Sequence, residues 1–192
     1  CKLSRIGIVG AGTMGGGIAL AFLNSEVPVV MLDRTATALE LGRAAVLSAC
    51  ESARRKGRTT EPEIRERLSL LHTTLHWSAL RDCDLVIEAI IENPDAKRAL
   101  YQAVEPRMQA GALLTTNTSS IPLDELRPHI ARPAQFAGLH YFNPVAQMPL
   151  VEIIRDSTRR DADIPTQRLQ AALNAYSQQV GALRLLARGV DA

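Results

Sequence analysis

Ile6-Gly-Ile-Val-Gly-Ala-Gly-Thr-Met-Gly15 is followed by a second apolar run, Val27 to Leu32, that stops on Asp33. Ile6 to Val9 reads as a short buried strand, and Gly10, Gly12 and Gly15 fit the spacing G-x-G-x-x-G. Each glycine has a separate task in that pattern. Gly10 allows the tight turn, Gly12 lets the backbone approach a pyrophosphate, and Gly15 lets the next helix pack closely on the strand. The free amides and dipole at that helix start favour a diphosphate. Asp33 stands 23 residues after Gly10, placed to accept hydrogen bonds from the adenosine ribose hydroxyls. Its carboxylate would repel a 2′-phosphate, so the expected cofactor is NAD rather than NADP, although Arg34 follows directly.

Glycine turns serve many purposes. Here the turn sits in a strand–turn–helix–strand–acid sequence, and Met14, Ile18, Ala21 and Phe22 put an apolar stripe on the helix. With 192 residues, 46% of them hydrophobic, the chain can bury a substantial core. A net charge of +2 is too small to indicate nucleic acid or a membrane surface, and charge is mixed apart from a basic cluster at Arg54, Arg55, Lys56 and Arg58. No apolar stretch reaches the ~18–20 residues of a bilayer span, and no secretory pattern opens the chain. Cys1, Cys50 and Cys83 form neither a metal spacing nor an even disulfide framework, which fits a reducing cytoplasm. A start at Cys1, almost at the first strand, leads us to expect a piece of something longer.

The pattern beyond Asp33 alternates helices and strands. Thr35 can cap a long helix carrying Ala38, Leu41, Ala45 and Leu47 to about residue 56. Residues 57–63 read as a polar turn, Leu68 to His72 as a third strand, and residues 84–91 as a fourth. Asn93-Pro94 starts a helix, with Asn93 as cap and Pro94 in the first turn, and Leu100, Val104 and Met108 mark its buried side. Residues 111–116 form a fifth strand leading into Asn117-Thr-Ser-Ser120, 136–140 a sixth and 150–154 a seventh. Leu169, Leu173, Tyr176 and Val180 define a last helix stopped by Gly181, and residues 183–186 an eighth strand. This predicts an α/β fold with a doubly wound, mostly parallel Rossmann-type sheet. Ligands bind beyond the carboxyl ends of such strands, which singles out Asp33, Glu92, Ser119 and His140.

Lys97 falls in the first turn of a helix, where a cation opposes the dipole. That placement calls for a partner, either Glu92 or a ligand, unless the lysine is simply solvated. Asn117 to Ser120 is either a polar turn capping a short helix or a donor set at the reacting carbon. His140 closes an apolar strand, as many core histidines do. Glu152 changes that weighing, because a carboxylate inside Leu150-Val-Glu-Ile-Ile is costly to bury unpaired. If the sixth and seventh strands are neighbours, Glu152 reaches the His140 ring, fixes its tautomer and supports it as a base. His72 and His76 have no carboxylates near them in sequence, so no metal site is expected.

Four ordered stretches, Val9-Gly-Ala-Gly-Thr-Met-Gly-Gly-Gly-Ile-Ala19, Val86-Ile-Glu-Ala-Ile-Ile-Glu-Asn-Pro94, Asn117-Thr-Ser-Ser-Ile-Pro122 and Phe136-Ala-Gly-Leu-His-Tyr-Phe-Asn-Pro144, resemble L-3-hydroxyacyl-CoA dehydrogenase. Met148-Pro-Leu-Val-Glu-Ile-Ile-Arg155 is similar to the form found inside bacterial multifunctional fatty-acid oxidation alpha subunits, where it follows an enoyl-CoA hydratase domain. The resemblance implies NAD-dependent oxidation of (S)-3-hydroxyacyl-CoA to 3-oxoacyl-CoA in β-oxidation. It implies that Gly10, Gly12, Thr13, Met14 and Gly15 hold the pyrophosphate and Asp33 the ribose, while Ile91, Glu92 and Lys97 lie toward the nicotinamide. Ser119 would bridge nicotinamide and substrate with Asn143 beside it, and His140 would be the base oriented by Glu152. Arg54, Arg55 and Lys56 lie where the family places cations near coenzyme A phosphates, or form a solvated helix face.

The family continues with Asp-x-Pro-Gly-Phe, an Asn-Arg pair and an all-helical domain that dimerises and closes over the acyl-CoA, whereas this chain stops at Gly189-Val-Asp-Ala192. Residues 1–192 are therefore expected to be one NAD-binding domain, binding NAD with weak or no turnover alone and forming oligomers only with the helical domain. Two other readings compete: a non-catalytic NAD-binding module, and a dehydrogenase of short hydroxy acids, which would not require coenzyme A.

Overall fold

The computed structural model describes residues 3–145, 148, 150–156, 167, 169–171, 173 and 184–190. Five four-residue strands make up one side of its sheet: β1 (Ile6–Val9), β2 (Val29–Leu32), β3 (Leu71–Thr74), β4 (Leu85–Glu88) and β5 (Leu113–Thr116). β6 (Phe136–Tyr141), β7 (Leu150–Asp156) and β8 (Arg184–Val190) extend the sheet. The eight strands lie in the order β3-β2-β1-β4-β5-β6-β7-β8. The first six are parallel, in the order 3-2-1-4-5-6 of dinucleotide-binding sheets. β7 turns back antiparallel to β6, and β8 runs parallel to β7.

All four residues of β1, β2, β4 and β5 are buried. Covered on both faces, these strands have no solvent-facing side to alternate with, so β1 and β2 read as unbroken apolar runs, while Glu88, Thr115 and Thr116 enter β4 and β5 with hydrogen-bond partners. Alternation instead divides them between two cores. Ile6, Ile8, Val29, Met31, Leu85 and Ile87 pack under α1 (Thr13–Leu23) and α2 (Ala36–Arg55). Val9, Val30, Leu32, Val86 and Leu114 meet α4 (Pro94–Val104), through Tyr101 and Val104. The expected caps are present: Thr35 Oγ1 accepts from Ala38 N–H at 3.2 Å, and Asn93 Oδ1 from Ala96 N–H at 2.9 Å.

Three local expectations are corrected. Residues 61–69 form a helix, α3 (Glu61–Ser69), so Leu68 lies in the last turn of a helix and the third strand begins at Leu71. The signal was Thr60-Glu-Pro-Glu63, a capping box with proline in the first turn, in which Glu63 accepts from Thr60 N–H at 2.8 Å. On α2 the buried stripe is Leu39, Gly42, Val46 and Cys50, whereas Leu41 and Leu47 are exposed. The α4 helix stops at Val104, before Met108, and buries Lys97 as well as Tyr101. Leu169 and Leu173 of the expected last helix are helical and buried. Tyr176, Val180 and Gly181 lie outside the described residues.

Candidate active site

The glycines meet three different environments. Gly10 has φ +111°, a conformation open to glycine, and a Cβ there would lie 2.5 Å from Ala89 O. A Cβ on Gly15 would overlap Gly10 O, so this residue sets how closely α1 approaches the strand end. A Cβ on Gly12 would meet nothing within 4 Å: here the absent side chain leaves room rather than relieving a protein contact. Thr13, Met14 and Gly15 carry the first amides of α1, before Gly16 N–H reaches Gly12 O at 2.9 Å. No side chain caps this turn, unlike the turns opened by Thr35 and Asn93, and no acid stands in it. Open space beside unclaimed donors at a helix N-terminus fits a pyrophosphate.

This turn forms the floor of a crevice of about 710 Å³. Asp33, Arg34, Leu41, Trp77, Ile90 and Ile91 are among its walls. Leu41 and Ile91 are 67% and 69% exposed, so their apolar surface faces the crevice instead of the core. Asp33 Oδ2 accepts from Ala11 N–H at 2.8 Å and Oδ1 from Arg34 N–H at 2.7 Å, which pins the carboxylate between the end of β2 and the glycine turn. Gly10, Gly12, Thr13, Met14, Asp33 and Ile91 therefore line one cavity, with Gly15 buried behind it.

On the other side of β1, a buried charge cluster joins β4, α4 and the turn after β5. Glu88, the last residue of β4, has no exposed surface, and its oxygens lie 2.6 and 2.8 Å from Lys97 Nζ. Tyr101 Oη at 2.9 Å, Thr116 Oγ1 at 2.7 Å and Ile90 N–H at 2.8 Å also donate to Glu88. Burial beside that carboxylate pushes the Tyr101 phenol well above its ordinary range. Lys97, equally buried, lies 3.4 Å from Glu92 as well. It thus stands behind Glu92 and presents no surface of its own to the crevice.

Glu92 organises the turn ahead of it. Its Oε1 accepts from Thr118 Oγ1 at 2.6 Å, Ser119 N–H at 2.8 Å and Ser120 N–H at 3.0 Å. Partial burial alone would raise this carboxyl, but Thr118, the two amides and Lys97 outweigh it and hold it down at about 2. Asn117 Oδ1 accepts from Tyr141 N–H at 2.8 Å, tying the turn to the end of β6.

His140 on β6 and Glu152 on β7 are directly opposed in the antiparallel pair. The His140 Nδ1 to Glu152 Oε2 distance is 3.5 Å, at the long end of hydrogen bonding. The imidazole also rests against Phe142, with ring centroids 4.6 Å apart. Glu152 is buried and His140 half-buried, leaving Nε2 as the ring nitrogen not directed at the carboxylate. Asn143 is exposed two residues beyond the end of β6. Arg54, Arg55 and Lys56 are exposed at the far end of α2, outside the crevice walls, and Arg54 is engaged by Glu51 at 2.8 Å.

Glu88 and Tyr101 were missed from the sequence, and Asn117 and Thr118 were reached only as part of a cap or a donor set. Glu88 carried the same signal as Glu152, an acid inside an apolar strand.

The fold and the crevice define a dinucleotide-binding domain of the Rossmann type. Residues 5–178 match the family described as 3-hydroxyacyl-CoA dehydrogenase, NAD binding domain, and the chain belongs to that family, with NAD as its cofactor. It is 37% identical over 180 residues to the fatty acid oxidation complex subunit alpha of Idiomarina loihiensis, covering 94% of this chain and 24% of that protein. The structure of (S)-3-hydroxybutyryl-CoA dehydrogenase from Ralstonia eutropha superposes with a TM-score of 0.87 at 33% identity, covering 97% of this chain and 63% of that one. For 3-hydroxybutyryl-CoA dehydrogenase from Escherichia coli K12 the TM-score is 0.85 at 30% identity, covering 97% and 38%. The chain thus spans about a quarter of the alpha subunit it matches.

Proposed function

We propose that this chain is the cofactor and base-bearing part of an enzyme oxidising (S)-3-hydroxyacyl-CoA to 3-oxoacyl-CoA in fatty-acid β-oxidation. The observation that carries it is the opposed His140–Glu152 pair at the ligand-binding end of the sheet. Bound NAD supplies a hydride acceptor for the substrate's carbon 3. His140 Nε2 takes the hydroxyl proton as the carbonyl forms, and returns it in the reverse direction. Glu152 holds Nδ1 and opposes the positive charge that the proton brings. Ser119, fixed by Glu92, and Asn143 hold the substrate oxygen and the carboxamide end of the cofactor. Arg54, Arg55 and Lys56 meet coenzyme A phosphates.

The wall that buries the acyl thioester belongs, in this reading, to an all-helical domain that also provides the dimer contact. The whole enzyme includes that domain and, in the multifunctional form, a hydratase domain, and it works in the cytoplasm. No helix among the described residues is long and apolar enough to cross a membrane. Without the helical wall, water is poorly excluded and alignment is loose. This chain alone should therefore bind NAD and turn over weakly or not at all. The test is NADH oxidation with acetoacetyl-CoA, beside calorimetric NAD binding, for the chain and its His140→Ala variant. Turnover lost in the variant with NAD affinity retained supports His140 as the base. Near-normal turnover by the chain alone would remove the helical wall from the proposal, and turnover surviving in His140→Ala would remove the base.

A further inference from the structure

Glu88, Lys97 and Glu92 bring two carboxylates and one ammonium together, with Glu88 and Lys97 fully buried. Among the described residues no second cation pairs with either acid. Taken as ionised, the cluster carries one net negative charge, and the roughly half-unit positive end of α4 offsets it only in part. Its position follows from the sheet order. The glycine turn after β1 fixes the diphosphate, and Asp33 after β2 marks the adenosine side. A dinucleotide crossing the switch point then lays its other half over the ends of β4 and β5, where Glu88 and Glu92 sit.

We infer that Glu88, which lies beneath that half and has no surface with which to touch a ligand, is a redox-state specificity residue. The two cofactor forms differ by a unit of positive charge on the nicotinamide ring. A fixed negative charge below the ring lowers the free energy of the oxidised form relative to the reduced one, and a buried charge is poorly screened by salt. Lys97, 2.6 and 2.8 Å from the two Glu88 oxygens, holds that carboxylate in place. Lys97 and Glu92 together pass its position on to the Thr118–Ser120 turn.

The inference rests on NAD lying across this crevice, and its test separates the two. Dissociation constants for NAD⁺ and NADH are measured by calorimetry on the chain and on Glu88→Gln. That variant keeps the size of the side chain and most hydrogen-bond partners while removing the charge. The ratio Kd(NAD⁺)/Kd(NADH) is expected to rise on the order of tenfold, the size of one unit charge acting over about 10 Å at an effective dielectric near 20. Thr116→Val, which removes one hydrogen bond to Glu88 and no charge, should leave the ratio where it was. A ratio that stays constant in Glu88→Gln, or moves equally in Thr116→Val, would overturn the electrostatic role and leave Glu88 structural. If Glu88→Gln does not fold, Glu92→Gln removes the same unit of charge, and the same ratio decides. Failure of the unaltered chain to bind either form is a separate result, and it would overturn the cofactor placement along with the inference.

Discussion

Gly12 and Gly15 lie one helical turn apart and should fail in opposite ways. An added methyl at Gly15 runs into the Gly10 carbonyl, which is backbone and cannot swing aside, so Gly15→Ala should cost about 3 kcal/mol of stability by denaturant titration. At Gly12 the same methyl meets open space, and φ −72° suits any residue. Gly12→Ala should keep stability within about 0.5 kcal/mol while losing most NAD affinity. Equal destabilisation by both would contradict the separate tasks assigned to them. Lys97 poses the matching question for charge. Lys97→Met strands Glu88 without its partner in a fully buried site and should cost about 3–5 kcal/mol, much of it recovered in the Lys97→Met/Glu88→Leu double variant. Urea melts of these two variants, of Glu88→Leu and of the unaltered chain make the cycle. At this scale the glycine turn and both caps were legible in the sequence, and the His140–Glu152 pair was legible only on the condition that their strands are neighbours. The partner of Glu88 was not, because α4 rather than chain proximity brings Lys97 to it.

The turn at residues 117–120 depends on one side chain from another loop, Glu92. Its carboxyl sits at about 2 in the folded protein, below an ordinary 4.5. Linkage then gives the sign: the contribution is complete above pH 4.5 and disappears as pH falls toward 2. Thermal melts should show the chain losing stability over that interval more steeply than Glu92→Gln, and parallel curves would mean that Glu92 does not hold the turn. Elements also show why strand and helix edges were misread. Leu68 and Leu70 look like strand residues beside Leu71, and only the capping box upstream commits Leu68 to α3, with Leu70 as its C-cap. On α2, Ala38, Leu41 and Ala45 do share one face, but that face looks into the crevice, whereas Leu39, Gly42 and Val46 face α1 and the sheet. Hydrophobic spacing identifies a helix without saying which apolar face meets protein and which meets a ligand.

Across the whole molecule, ligand binding should register as folding stability. At a hundred times its Kd, NAD should add about 2.7 kcal/mol, a rise in melting temperature of several degrees for a domain of this size. NADP should add less, because Asp33 opposes a 2′-phosphate; an equal shift from both would remove Asp33 as the discriminator. The doubly wound, mostly parallel sheet was implicit in the chain, because β1, β2, β4 and β5, covered on both faces and joined by helices, wind right-handed. The glycine spacing and Asp33 likewise determined the cofactor crevice, since all of those residues lie within one β-α-β unit. Only the tertiary structure decided the rest of the site. It reversed β7 against β6 so that His140 faces Glu152, used α4 to bury Lys97 on Glu88, and drew the Thr118–Ser120 turn onto Glu92. The physical reason is range: backbone spacing fixes partners within a turn or a single β-α-β unit, whereas charges meeting across separate elements are paired by how those elements pack.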